Sequence, residues 1–261
     1  MQQIFKNIST EFIKSKKTFA SWLIILGAAF MPVFMSFIFL SKWKRFIPQH
    51  GQNPWSTFAE NSWKGMGFLF ISFFVVLLTC LFFNIEHKNN TWKHIFTLPV
   101  SKSSVYFNKL ATLLIFIAIF YILYIPIWIG CGFAVGLIKP ELQLASYSPD
   151  YISLLNLCFH SFIASLGILA IHFLLSIRFK NMIKPIGIAV LGEIIWVALY
   201  QGRAKEITYF PYAFNYSTVN PPSWVTPKMF GIFPQHEIVS ILYFIIFSIL
   251  SYVYFIKVFK G

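Results

Sequence analysis

The strongly polar side chains Asn156, His160, His172 and Glu193 sit inside long apolar runs of this 261-residue chain. A charged group at the centre of a membrane costs about 2.5–3.5 kcal/mol, so such residues are kept for pairing or for work. His172 stands about six residues from one end of its run and Glu193 about eight or nine from the adjoining end of the next; at ~1.5 Å per residue they reach similar depths and can meet. The chemistry open to the pair is hydrogen bonding along a translocation path; the plainer alternative is a pair that only joins two helices. Asn156 and His160, four positions apart, share a helix face and can bridge helices. An intramembrane hydrolase needs converging groups, and two histidines 12 apart on one helix point about 120° from each other. No G-x-x-x-x-G-K-[ST], H-E-x-x-H, G-x-S-x-G or paired-cysteine pattern occurs, so no nucleotide, metal or acyl-transfer site is expected.

A second polar group interrupts the apolar runs between Glu86 and Lys109. Asn90 or Thr91 can cap a helix start. Trp92, Ile95 and Phe96 then fall at i, i+3 and i+4 on one face, with Lys93, His94 and Thr97 on the other. Pro99 stops that helix, and Ser101 can cap the next, ahead of Lys102. The spacing predicts a short amphipathic helix over about 91–98, flat at the cytoplasmic interface and anchored by Trp92.

The elements that must position these residues follow from composition. Hydrophobic residues make up 57% and charged residues only 11%, against the ~25% charge of soluble domains, and aromatics reach 20%. Six runs can each cross a bilayer: about 18–40, 65–83, 110–138, 151–177, 185–200 and 238–256. The third is long and contains Pro126, so tilt or a kink is expected. The net charge of +13 sits at the ends of the runs, where lysines meet anionic headgroups, which argues against nucleic-acid binding. With the N-terminus inside, thirteen Lys and Arg fall inside and eight outside, and five of the eight acids fall outside, so both termini are expected in the cytoplasm. Ile4, Phe5, Ile8 and Phe12 recur at helical spacing among lysines, giving either an interfacial helix over 2–17 or a disordered basic tail. The first run is long enough to span and is expected to be retained rather than cleaved. Residues 201–237 are rich in proline and aromatics, too apolar for a solvated linker, and are expected to pack back into the headgroup region. Cys80, Cys131 and Cys158 lie in apolar runs and read as buried hydrophobes. The fold class is an all-α membrane protein in a single domain, 1–261: six transmembrane helices, an N-terminal interfacial amphipathic helix, and a cytoplasmic helix between spans 2 and 3.

Glu86, Thr91-Trp92-Lys93, Leu98-Pro99-Val100-Ser101-Lys102 and Lys109, following the second span of six, resemble the ABC-2 type permeases, the membrane subunits of ATP-binding-cassette exporters. The similarity is strongest to the bacterial branch that protects against lantibiotics and other peptide antibiotics. It covers nearly the whole chain as topology and about 25 residues as motif. The resemblance implies a coupling helix over Glu86 to Lys102 seated in a groove of a separate cassette ATPase, which would carry the ATP and Mg; no cofactor is expected on this chain. It places Trp92, Ile95 and Phe96 against the bilayer or the ATPase, and Glu86, Lys93 and Lys102 in polar contacts with the ATPase or headgroups. It also implies a second permease copy or a paralogue to enclose the path, a bacterial cytoplasmic membrane, and export of a hydrophobic or amphipathic substrate such as an antimicrobial peptide. The competing reading is a non-transporting scaffold or sensor that recruits a soluble partner through the same helix.

Overall fold

Away from water every backbone amide and carbonyl must be satisfied within its own segment, so each apolar run closes into a helix. The computed structural model describes residues 19–49, 51–88, 91–97, 99–226 and 228–259. The helix expected over 2–17 lies outside the described residues, as do Asn90, Leu98 and the side chain of Phe96. Six helices are long and apolar enough to cross a membrane: α1 (Phe19–Ser41), α2 (Pro54–Lys88), α4 (Lys102–Ile138), α5 (Tyr151–Arg178), α6 (Ile183–Gln201) and α8 (Gln235–Lys257). Short α3 (Thr91–Thr97) joins α2 to α4, and α7 (Phe214–Val219) lies between α6 and α8. The chain is thus an all-α membrane protein. Its strand pairing, among the described residues, is a two-residue antiparallel ladder, β1 (Met229–Phe230) with β2 (Phe233–Pro234), turned at Gly231 with φ 65°.

Helical periodicity decides which faces meet. On α1, Ala20, Ile24, Ala28, Met31, Met35 and Phe39 form a buried stripe against α4, while Trp22, Phe30 and Phe37 on the opposite side are exposed. Such a sleeve of exposed apolar side chains, continued by Leu191 and Ile194 of α6 and Ile246 and Ile249 of α8, fits lipid as the solvent. Helix α2 is the most enclosed, with 67% of its apolar window buried against 17% for α8.

Two helices exceed their apolar runs by eight residues or more. α2 has 35 residues and begins at Pro54 rather than near Gly65. Its first turns mix buried Trp55, Phe58 and Trp63 with exposed Ser56 and Glu60, which lowers hydropathy without breaking the helix. Asn53 caps it, the side-chain oxygen accepting from the Trp55 amide at 3.0 Å, and Pro54 follows at the first helical position. α4 has 37 residues and starts at Lys102, where the Ser101 hydroxyl accepts from the Ser104 amide at 3.2 Å as its position predicts. At ~1.5 Å per residue both exceed the ~30 Å hydrocarbon core and project beyond it. Pro126 sits on an exposed position of α4, and the helix runs through it.

The segment from 201 to 237 enters the helical body. From the second of two 3-10 turns, Lys205–Tyr209 and Pro211–Ala213, into α7, residues Tyr212, Ala213, Phe214 and Asn215 are all buried. Where this segment presses on α2, the helix widens into a π turn over Met66–Phe70. Gly67 is required there: an added Cβ would stand 2.8 Å from the Asn215 carbonyl oxygen.

Candidate functional site

The ends of α2, α4, α5 and α8 converge beside α3. Antiparallel α2 and α4 bring Glu86 and Lys109 together: Nζ lies 2.5 Å from Glu86 Oε1, with side-chain exposures of 5% and 1%. A buried ammonium needs more than one partner, and Lys109 Nζ also faces the rings of Phe82, Trp92 and Phe83 at 4.8, 5.2 and 5.7 Å. Trp92 closes the box, 2% exposed, against Phe83, His87, Phe255 and Phe259. Hydrogen bonds tie the same ends. His87 Nε2 lies 2.8 Å from the Ser176 carbonyl, Lys102 Nζ donates to the Phe259 carbonyl at 3.1 Å, and the Tyr106 hydroxyl lies 2.7 Å from both the Ser248 carbonyl and the Ser251 hydroxyl.

This arrangement corrects the direction of α3. Trp92 and the half-buried Ile95 face the protein rather than bilayer or solvent, because the box around Lys109 offers a better apolar contact than headgroups do. Glu86 likewise turns inward to Lys109, and the Lys102 ammonium reaches α8. The exposed positions are Lys93, His94 and Thr97, then Pro99, Val100 and Ser101. Thr91 donates at 3.5 Å to the Glu86 carbonyl and so ties α3 back to α2. Sequence reasoning missed the Glu86–Lys109 pair and the two C-terminal phenylalanines. The first becomes legible once α2 and α4 are extended to either side of α3; Phe255 and Phe259 carry no local signal.

The polar groups at depth divide differently from expectation. Glu193 and His172, both buried, do not pair directly. The Trp196 indole donates to Glu193 Oε2, and His172 Nε2 lies 2.8 Å from the Tyr212 hydroxyl. Tyr212 fills the space between the two, its ring lying against Gly192 of α6. His160 instead meets Glu237 at the start of α8: Nδ1 lies 2.8 Å from Oε2 and 3.1 Å from Oε1 of a carboxylate with 0% exposure. Asn156 and His160 do share one face, lining an open cavity of about 420 Å³ with Thr218 and Glu237, at the end of the molecule remote from α3. A second cavity of about 460 Å³ adjoins it, walled by Trp55, Trp63 and Trp128. Tyr212 and Glu237 were not singled out in the sequence, since both lie in the segment read as interfacial. Among the described residues no cluster of three or more His, Cys, Asp or Glu is placed to hold a metal.

Neither the curated proteins nor the solved structures gave a match. The family model for ABC-2 family transporter protein matches residues 7–195, most of the chain, including α3, the ion pair, the first four long helices and most of α6. The chain belongs to the ABC-2 family of transporter proteins.

Proposed function

We propose that this chain is the permease half of an ATP-driven exporter, and that α3 is where a separate cassette ATPase pushes. Membership in the family supports a membrane component that does not itself hydrolyse ATP. The observation that carries the coupling role is the box around Lys109. A push on α3 bears on Trp92, and through it on the ends of α2, α4 and α8 at once, with α5 tied in by His87. A loop tethered only at its ends would yield instead. The exposed Lys93, His94 and Thr97 supply a polar face for the ATPase groove, which is the reverse of an apolar docking face. The α3 end lies in the cytoplasm on this reading. The charge count along the sequence supports this side, with thirteen Lys and Arg in the segments it assigns to the cytoplasm against eight outside, and five of the eight acids outside. A second copy or a paralogue completes the path. The substrate class is hydrophobic or amphipathic, with a membrane-active peptide first by analogy with the antibiotic-protection branch.

Co-expression with the partner ATPase, followed by purification through a tag on this chain, tests the reading. Lys93→Glu combined with His94→Glu should reduce recovered ATPase at least several-fold while leaving the permease at normal levels in the membrane. Full recovery with unaltered hydrolysis in that double variant would remove α3 as the seat.

A further inference from the structure

The stretch from Tyr212 to Ser217 fills the centre of the helical body with polar groups that are poorly matched. Tyr216 and Phe214 pack on rings of α2, α6 and α8, but two of the polar contacts beside them are long: the Ser72 hydroxyl donates to the Tyr212 carbonyl at 3.5 Å, and the Ser165 hydroxyl to Asn215 Oδ1 at 3.3 Å. The Tyr212–His172 bond, at 2.8 Å, is the short one. Around it, His172 Nδ1, Asn215 Nδ2 and the Tyr124 hydroxyl are buried without a hydrogen-bond partner. His172 and Asn215 have 0% exposure. An orphaned buried donor or acceptor costs ~1–3 kcal/mol, so each of these three groups asks for a partner that the plug does not supply. They form a seam: Tyr121 meets Ser165 at 3.4 Å, Ser165 bonds Asn215 and the Ser161 carbonyl, and Tyr212 joins His172.

We infer that residues 211–217 are a displaceable plug, latched by the Tyr212–His172 hydrogen bond, and that the seam beneath them is the wall that takes the hydrogen-bonding groups of a passing amphipathic ligand. The inference rests on the transport reading above and adds a gate to it. The plug itself shows the ligand chemistry the wall accepts, since a phenol, a main-chain carbonyl and a carboxamide now occupy it. A membrane-embedded peptide presents the same groups. The π turn and Gly67 hold α2 open for the segment, so a side chain at 67 works against closure.

The test uses the assembled transporter in membranes, with Cys80, Cys131 and Cys158 replaced by alanine and Ser165→Cys as reporter. The probe is a membrane-impermeant trimethylammonium methanethiosulfonate applied from outside. Ser165→Cys should react slowly without nucleotide and faster with ATP and orthovanadate. Tyr212→Phe keeps the ring and removes the latch; it should raise the resting rate on the order of fivefold, the factor that ~1 kcal/mol of hydrogen bond represents. Gly67→Ala, which crowds the Asn215 carbonyl, should act in the same direction. Unchanged rates in both variants, while an exposed Ser148→Cys control reacts, would overturn the plug. A rise in both variants with no response to ATP and vanadate would support the plug and count against the transport reading.

Discussion

Lys109 is held by a carboxylate on one side and three aromatic faces on the others, and that environment sets what its replacement does. Removing either member of a buried ion pair strands the other charge, at a cost of ~3–5 kcal/mol. Glu86→Gln and Lys109→Met should therefore each lower the thermal unfolding temperature of the detergent-solubilised protein sharply. The double variant should recover part of the loss, and a double-mutant cycle with no coupling energy would contradict the pairing. Trp92 and Lys93 are adjacent in sequence and opposite in consequence. Trp92→Ala opens a cavity among Phe83, Phe255 and Phe259, with an expected loss of ~3–5 kcal/mol read as lower membrane yield and melting temperature. Lys93→Ala should leave both unchanged, because its side chain is exposed.

Caps and faces decide the helices that carry these residues. Asp150 caps α5: its Oδ1 accepts from the Ile152 and Ser153 amides at 3.1 Å, and the Ser153 hydroxyl donates to its Oδ2 at 2.7 Å. The hydroxyl and amide of Ser153 are the chief reasons its carboxyl lies below the usual range. A depressed value in the folded state means the cap's contribution is present above the ordinary carboxylate range and is lost as pH falls through the folded value. The protection factors of the Ile152 and Ser153 amides, taken against the intrinsic exchange rate at each pH, should thus fall only in acid, and Asp150→Asn, which still caps, should abolish that pH dependence. The six apolar runs were legible because hydrocarbon demands uninterrupted apolar length, and Ser101 was legible as a cap by type and place. The first turns of α2 were not, since Ser56, Glu60 and Lys64 hide the buried tryptophans from a hydropathy reading. Nor was the direction of Trp92: an amphipathic face looks the same in sequence whether lipid or protein covers it. Depth alone likewise placed His172 level with Glu193, while Tyr212, arriving from a distant segment, separates them.

The two ends of the molecule differ in kind. At the α3 end, four long helices are tied together by aromatic contacts, hydrogen bonds and a buried ion pair. At the opposite end, Asn156, His160 and Glu237 border an open cavity, beside a hairpin whose Met229, Phe230 and Ile232 are more than half exposed. Close packing at one end and open space at the other is what the proposed coupling through α3 requires, and the sidedness of α3 is its central claim. Lys93→Cys, in a chain with Cys80, Cys131 and Cys158 replaced by alanine, tests it directly with a membrane-impermeant maleimide. The cysteine should stay unmodified in intact cells, react after permeabilisation, and be shielded by the bound ATPase; modification from outside intact cells would contradict the account.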